Sequence, residues 1–181
     1  MAQKPTQADY DALIAAMQAE FPGWQVVKKS ESPLMQWIRR ILFFNKTFMT
    51  NFVTSFGFWM WTPTMWESWS LSTKCEIIRH EREHFRQQKR LGFPMFAFQY
   101  LLWPLPLFYA KSRAEFEKQG YAESMRATAE YFGVQELEDV EYREFVIGCF
   151  TGPDYGWMWP FRDDLDKWYD GIVADIKKKN K

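Results

Sequence analysis

The two histidines of the chain stand four residues apart in "CEIIRHEREHF", residues 75 to 85, with a glutamate directly after the first. His80, Glu81 and His84 therefore spell H-E-x-x-H. On a helix, residues four apart sit one turn above each other, so two imidazoles in this register can offer lone pairs to a single Zn²⁺. The glutamate between them can reach a water on that ion and serve as its base. The competing reading is a charged helix with two core histidines, its glutamate satisfied by ordinary hydrogen bonds.

The direction in which these residues face separates the two readings. With His80 at zero and about 100° per residue, His84 falls at about 40°, Ile77 at about 60°, Glu81 at about 100°, Phe85 at about 140° and Ile78 at about 160°. Arg79, Arg82, Glu83, Arg86, Lys89 and Arg90 fall between roughly 180° and roughly 300°. His80, Glu81 and His84 thus share the apolar side, and Glu83 the wet side. A carboxylate among isoleucines and phenylalanine is expensive without a partner, and a metal ion supplies one.

A catalytic zinc needs three protein ligands and an open position. The chain has no third histidine, so a carboxylate must complete the set. The stretch "SRAEFEKQGYAESMRATAEYF", 112 to 132, reads as a helix. Ser112 and Glu115 make S-x-x-E, a capping box that gives Glu115 a structural task. Measured from Glu117, Tyr121 lies at about 40°, Phe132 at about 60° and Met125 at about 80°, while Gln119, Glu123, Arg126 and Glu130 take the opposite arc. Glu117 is therefore the expected third ligand and Glu115 the runner-up; the alternative for Glu117 is a core ion pair. Gly120, one turn away, would let this helix approach the histidine helix closely.

His80-Glu81-x-x-His84, followed some thirty residues later by Phe116-Glu117-x-Gln119-Gly120, resembles the gluzincin metallopeptidases, in which a second helix supplies a glutamate. It is also similar to small single-domain zincin-like proteins in which an aromatic hairpin precedes the H-E-x-x-H helix. The likeness covers about residues 47 to 125. It implies one Zn²⁺ held by His80, His84 and Glu117, Glu81 as general base, and a peptide or protein substrate. The implied fold is zincin-like: α+β, mainly helical, with a small antiparallel sheet beside the active-site helix and the glutamate helix packed near it. In that family the sheet edge preceding the active-site helix, here 57 to 62, accepts an extended peptide. One departure is Tyr121, where related sequences often carry an aspartate that supports a ligand. A zincin-like protein that binds metal but has weak or no activity is the alternative function.

Hydrolysis also needs a donor for the oxyanion. Tyr155, in the glycine-flanked "GPDYGWMW", is the first candidate, with Tyr109 and Arg113 as alternatives and loop packing as the plainer role for Tyr155. Trp59, Trp61, Trp66, Trp157 and Trp159 either line apolar subsites or, as most tryptophans do, fill the core.

The elements that must position these groups follow from periodicity and punctuation. A helix is expected over 7 to 20, ended by Pro22-Gly23; a short strand in "WQVVKKS"; and a helix over 32 to 44 with Ser32 as cap and Pro33 at its first position. Two strands, 47–55 and 57–62, form the aromatic hairpin. Helices follow at 72–91, closed by Gly92, then 94–103, 113–132, 138–149 and 161–177, with an aromatic loop at 151–161. With 181 residues and no linker or repeat, one domain is expected: N-terminal helices and strand (1–46), hairpin (47–66), metal-site helices (72–133) and C-terminal helices (134–181).

Composition narrows the partners. The 23 basic residues balance 23 acidic ones, so nothing marks a nucleic-acid surface, and the final "KKKNK" reads as a solvated tail. Cys75 and Cys149 are far apart and read as two buried thiols, which suits a reducing compartment. The first residues carry acids among their apolar positions, a poor secretion signal, and the cytoplasm is the expected location. "FPMFAFQYLLWPLPLFYA", 93 to 110, has the length of a membrane span, but Pro94, Pro104, Pro106 and Gln99 interrupt it. It reads as a buried helix and a proline-rich turn, membrane association being the weaker alternative.

Overall fold

Thr6 and Asp9 close a capping box at the start of α1 (Gln7–Glu20): Asp9 N–H donates to the Thr6 hydroxyl at 3.3 Å, and Thr6 N–H to the Asp9 carboxylate at 2.8 Å. In the computed structural model, which describes residues 2–41, 46–101, 109–153 and 156–180, the chain leaves α1 through Gly23 at φ 90°. It then forms β1 (Gln25–Lys28) and α2 (Pro33–Ile41), where the Ser32 hydroxyl accepts from Met35 N–H at 3.3 Å. β2 (Thr54–Phe56) and β3 (Trp59–Thr62) follow, joined by a tight turn at Gly57 with φ 68°. Among the described residues the architecture is α+β and mainly helical, with seven α-helices and one three-stranded sheet.

The sheet differs from the expected antiparallel hairpin. Its order is β1-β3-β2, and it is mixed: β3 runs parallel to β1, pairing Gln25 with Trp59 and Val27 with Trp61, and antiparallel to β2, pairing Thr54 with Trp61. The expected first strand, 47–55, is mostly turn, and only its end reaches β2. β3 is therefore the interior strand, with no edge for an added peptide. Adjacent residues explain why. Met60 packs with Met17, Trp24 and Ile78, while Trp61 packs with Met35, Phe48 and Met49. Successive side chains point to opposite faces, so both faces of β3 are covered, as befits a central strand.

The chain divides into two compact units, Pro5–Phe85 and Met1–Lys4 with Arg86–Lys181. The division falls inside α3 (Leu71–Leu91), one unbroken helix that starts where the Ser70 hydroxyl accepts from Thr73 N–H at 3.1 Å. In the first unit, α3 contributes Ile78 and Phe85 to a core with Met17, Phe21, Trp24, Met60 and Trp66. Arg82 ties α3 to α1 through Glu20, its Nε donating at 2.6 Å.

In the second unit α3 ends at Gly92, φ 77°, and α4 (Phe93–Leu101), α5 (Lys111–Phe132), α6 (Val140–Thr151) and α7 (Arg162–Lys179) follow. Its core joins Tyr121, Met125, Leu137, Ile147, Phe150, Met158, Leu165 and Tyr169. Arg143 bridges α6 to α7 through Asp166 at 2.8 Å and Asp170 at 2.7 Å. The expected capping box on α5 does not form. α5 begins at Lys111, so Ser112 lies inside the first turn, and the side chain of Glu115 pairs with Lys118 at 3.1 Å. Tertiary contact sets the start instead: the buried Ala110 donates its N–H to Met158 O at 2.8 Å. No helix among the described residues is long and apolar enough to cross a membrane; residues 102–108 of the proline-rich stretch lie outside those described.

Candidate metal centre

α3 buries the face that its periodicity assigns to the core. His80, Glu81 and His84 are buried, and Arg86, Lys89 and Arg90 on the far side are exposed. The two imidazoles meet edge to face, their Nε2 atoms 3.1 Å apart. At that separation one ring can donate its N–H to the other. Two ligand nitrogens on a tetrahedral Zn²⁺ would lie about 3.3 Å apart, close to the spacing already present.

α5 brings the third group. Glu117 is 1% exposed, and its carboxylate, His80 and His84 each present a donor atom within 4.8 Å of the other two. The last turns of α3, in the same compact unit as α5, bond to the turn that carries Glu117. Gln87, one turn beyond His84, donates from Nε2 to the Phe116 carbonyl at 3.1 Å and to Gln119 Oε1 at 3.2 Å. Gly120 is buried on the same helix. The donor set fits a zinc-type ion: two imidazoles and one carboxylate, all buried and mutually close. Glu115 is exposed and engaged with Lys118, so the runner-up ligand is set aside.

Glu81 follows His80 on the same face. Its carboxylate makes no hydrogen bond or ion pair among the described residues. The charge that bears on it is Lys29, just past β1. The Lys29 side chain is 0% exposed; Nζ donates to Phe48 O at 2.8 Å and lies 3.7 Å from the centre of the Phe48 ring. Burial pulls the Lys29 pKa down to about 7, against the smaller upward pull of the Glu81 carboxylate.

The other expected residues fare unevenly. Tyr155 lies outside the described residues. Tyr109 is about half exposed and packs its ring on Phe161; Arg113 is half-buried, one turn before Glu117. Tyr121 packs on Phe150 at 5.4 Å between ring centres. Trp61 and Trp66 are core residues and Trp159 packs half-buried against the second core, whereas Trp59 and Trp157 are 42% and 43% exposed. Cys75 is buried and Cys149 half-buried.

Three further residues join the site beyond those expected. Gln87 falls at about 340° on the wheel centred on His80, so the period that places the histidines also marks it. Lys29 carries no such signal, because its burial depends on Phe48 nineteen residues away. Tyr100, on α4, donates its hydroxyl to Glu117 Oε1. That bond joins two separate helices and has no local pattern. Comparison with family models, curated proteins and solved structures gave no match.

Proposed function

We propose that this chain is a zincin-like zinc metallopeptidase that hydrolyses peptide bonds. The observation that carries the reading is the approach of His80, His84 and Glu117, all buried, to within 4.8 Å at their donor atoms. These three would hold one Zn²⁺, which would supply Lewis acidity to a water and to the scissile carbonyl. Glu81, on the same helix face and without a hydrogen bond among the described residues, would take the proton from the attacking water and deliver it to the leaving amine. Lys29 is buried within electrostatic reach of Glu81 and offers it an opposing charge. A zincin-like fold is part of this proposal, supported by a small sheet and by a glutamate-bearing helix that accepts bonds from the histidine helix.

A second reading, metal binding without useful turnover, is favoured by Tyr121. It packs on Phe150 where the resembled family often carries a supporting acid. One experiment separates the two. The purified chain is loaded with Zn²⁺, its metal content measured, and cleavage of a quenched fluorescent peptide library followed. The peptidase reading expects one zinc per chain and cleavage that Glu81→Gln reduces by about 10²–10⁴-fold while zinc content holds. Zinc without cleavage supports the second reading, and a folded chain that takes no zinc overturns both.

A further inference from the structure

Two side chains from different helices bear on the same turn of α5. Gln87 is 2% exposed and donates its amide to the carbonyl of Phe116, the residue directly before Glu117, and to Gln119 Oε1. That carbonyl belongs to the helix backbone. Gln87 takes its second lone pair and so grips the main chain rather than a movable side chain. Gln119 is steadied in turn, its Nε2 donating to Glu115 O at 3.2 Å. From α4, Tyr100 donates its hydroxyl to Glu117 Oε1 itself. The Tyr100 ring is seated by Phe96, stacked at 5.3 Å, and by Phe116 at 6.5 Å.

The division of labour follows from what each bond restrains. Gln87 lies three residues after His84, on the helix that carries both imidazoles. Its bonds set the height and rotation of the Glu117 turn relative to that helix. Tyr100 restrains what the backbone cannot, the torsions of the carboxylate, and occupies one face of one oxygen. A ligand held from both ends loses less freedom when an ion binds, and its oxygen is presented in one direction.

The geometry points to Gln87 and Tyr100 as positioning residues of the cation site, Gln87 fixing the backbone of Glu117 and Tyr100 its carboxylate. This rests on the metal reading above but makes a separate claim, that these two contacts shape the ion's binding and do not merely fill the core.

The test compares wild type, Tyr100→Phe, which removes one oxygen, and Gln87→Met, which keeps the volume and removes the amide. Zn²⁺ affinity is measured by competition with a chromophoric chelator. The visible absorption of the Co²⁺-loaded chain reports ligand geometry, and melting of the metal-free chain reports stability. Each variant is expected to bind Zn²⁺ about 10–100-fold more weakly and to alter the Co²⁺ bands, with metal-free Tyr100→Phe melting like wild type. Wild-type affinity and an unchanged Co²⁺ spectrum in Tyr100→Phe overturn the inference alone. A wild-type chain that takes up neither ion overturns the metal reading and this inference with it. If Gln87→Met fails to fold, Tyr100→Phe still decides.

Discussion

At the scale of single residues, the period of one helix made most of the candidate metal site readable. Placing His80, Glu81 and His84 among isoleucines required only the 3.6-residue repeat, and the same arithmetic put Glu117 on the apolar stripe of α5. Lys29 was beyond that arithmetic. Its neighbours in the chain suggest a surface strand, yet its amine is wholly enclosed and bonded to Phe48 O. This enclosure has a consequence for stability. The folded chain holds the Lys29 proton with a pKa of about 7, against 10.5 for an ordinary lysine. Between those values the unfolded chain binds more protons, so raising the pH through that window favours the fold, and below it the cost of burying the charge is felt in full. In Lys29→Met the gain of wild-type stability between pH 7 and pH 9 is expected to flatten, by a few kcal/mol at most, in urea unfolding at the two pH values.

At the scale of elements, most boundaries set by local chemistry were legible and those set by tertiary contact were not. Thr6, Ser32, Gly92 and Gly133 stop or start helices by their own caps or positive φ. α5 instead starts ahead of its apparent capping box, because Ala110 is pinned to Met158 O across 48 residues of sequence. The same limit hid the parallel pairing of β1 with β3, whose partners lie 34 positions apart. α6 has a boundary set by local chemistry that periodicity passed over, since the helix expected from 138 starts at Val140. Asp139 accepts from Glu141 N–H at 2.8 Å and Tyr142 N–H at 3.0 Å, two donors that the helix itself cannot satisfy. Asp139→Ala is expected to destabilise the chain by about 1 kcal/mol, measured by chemical unfolding at neutral pH.

At the scale of the whole molecule, the division into two compact units leaves no mark in the sequence. A boundary normally announces itself as a linker, and here the division between the two compact units falls after Phe85, in mid-helix, where composition does not change. α3 gives its middle to the core of Met17, Trp24 and Met60, and its last turns to Phe116 and Gln119. A helix that runs through both units would couple their melting through its backbone ladder. The chain is expected to lose both cores in a single cooperative event. Scanning calorimetry should give one endotherm whose measured enthalpy equals the van't Hoff value, and two resolved endotherms would refute it.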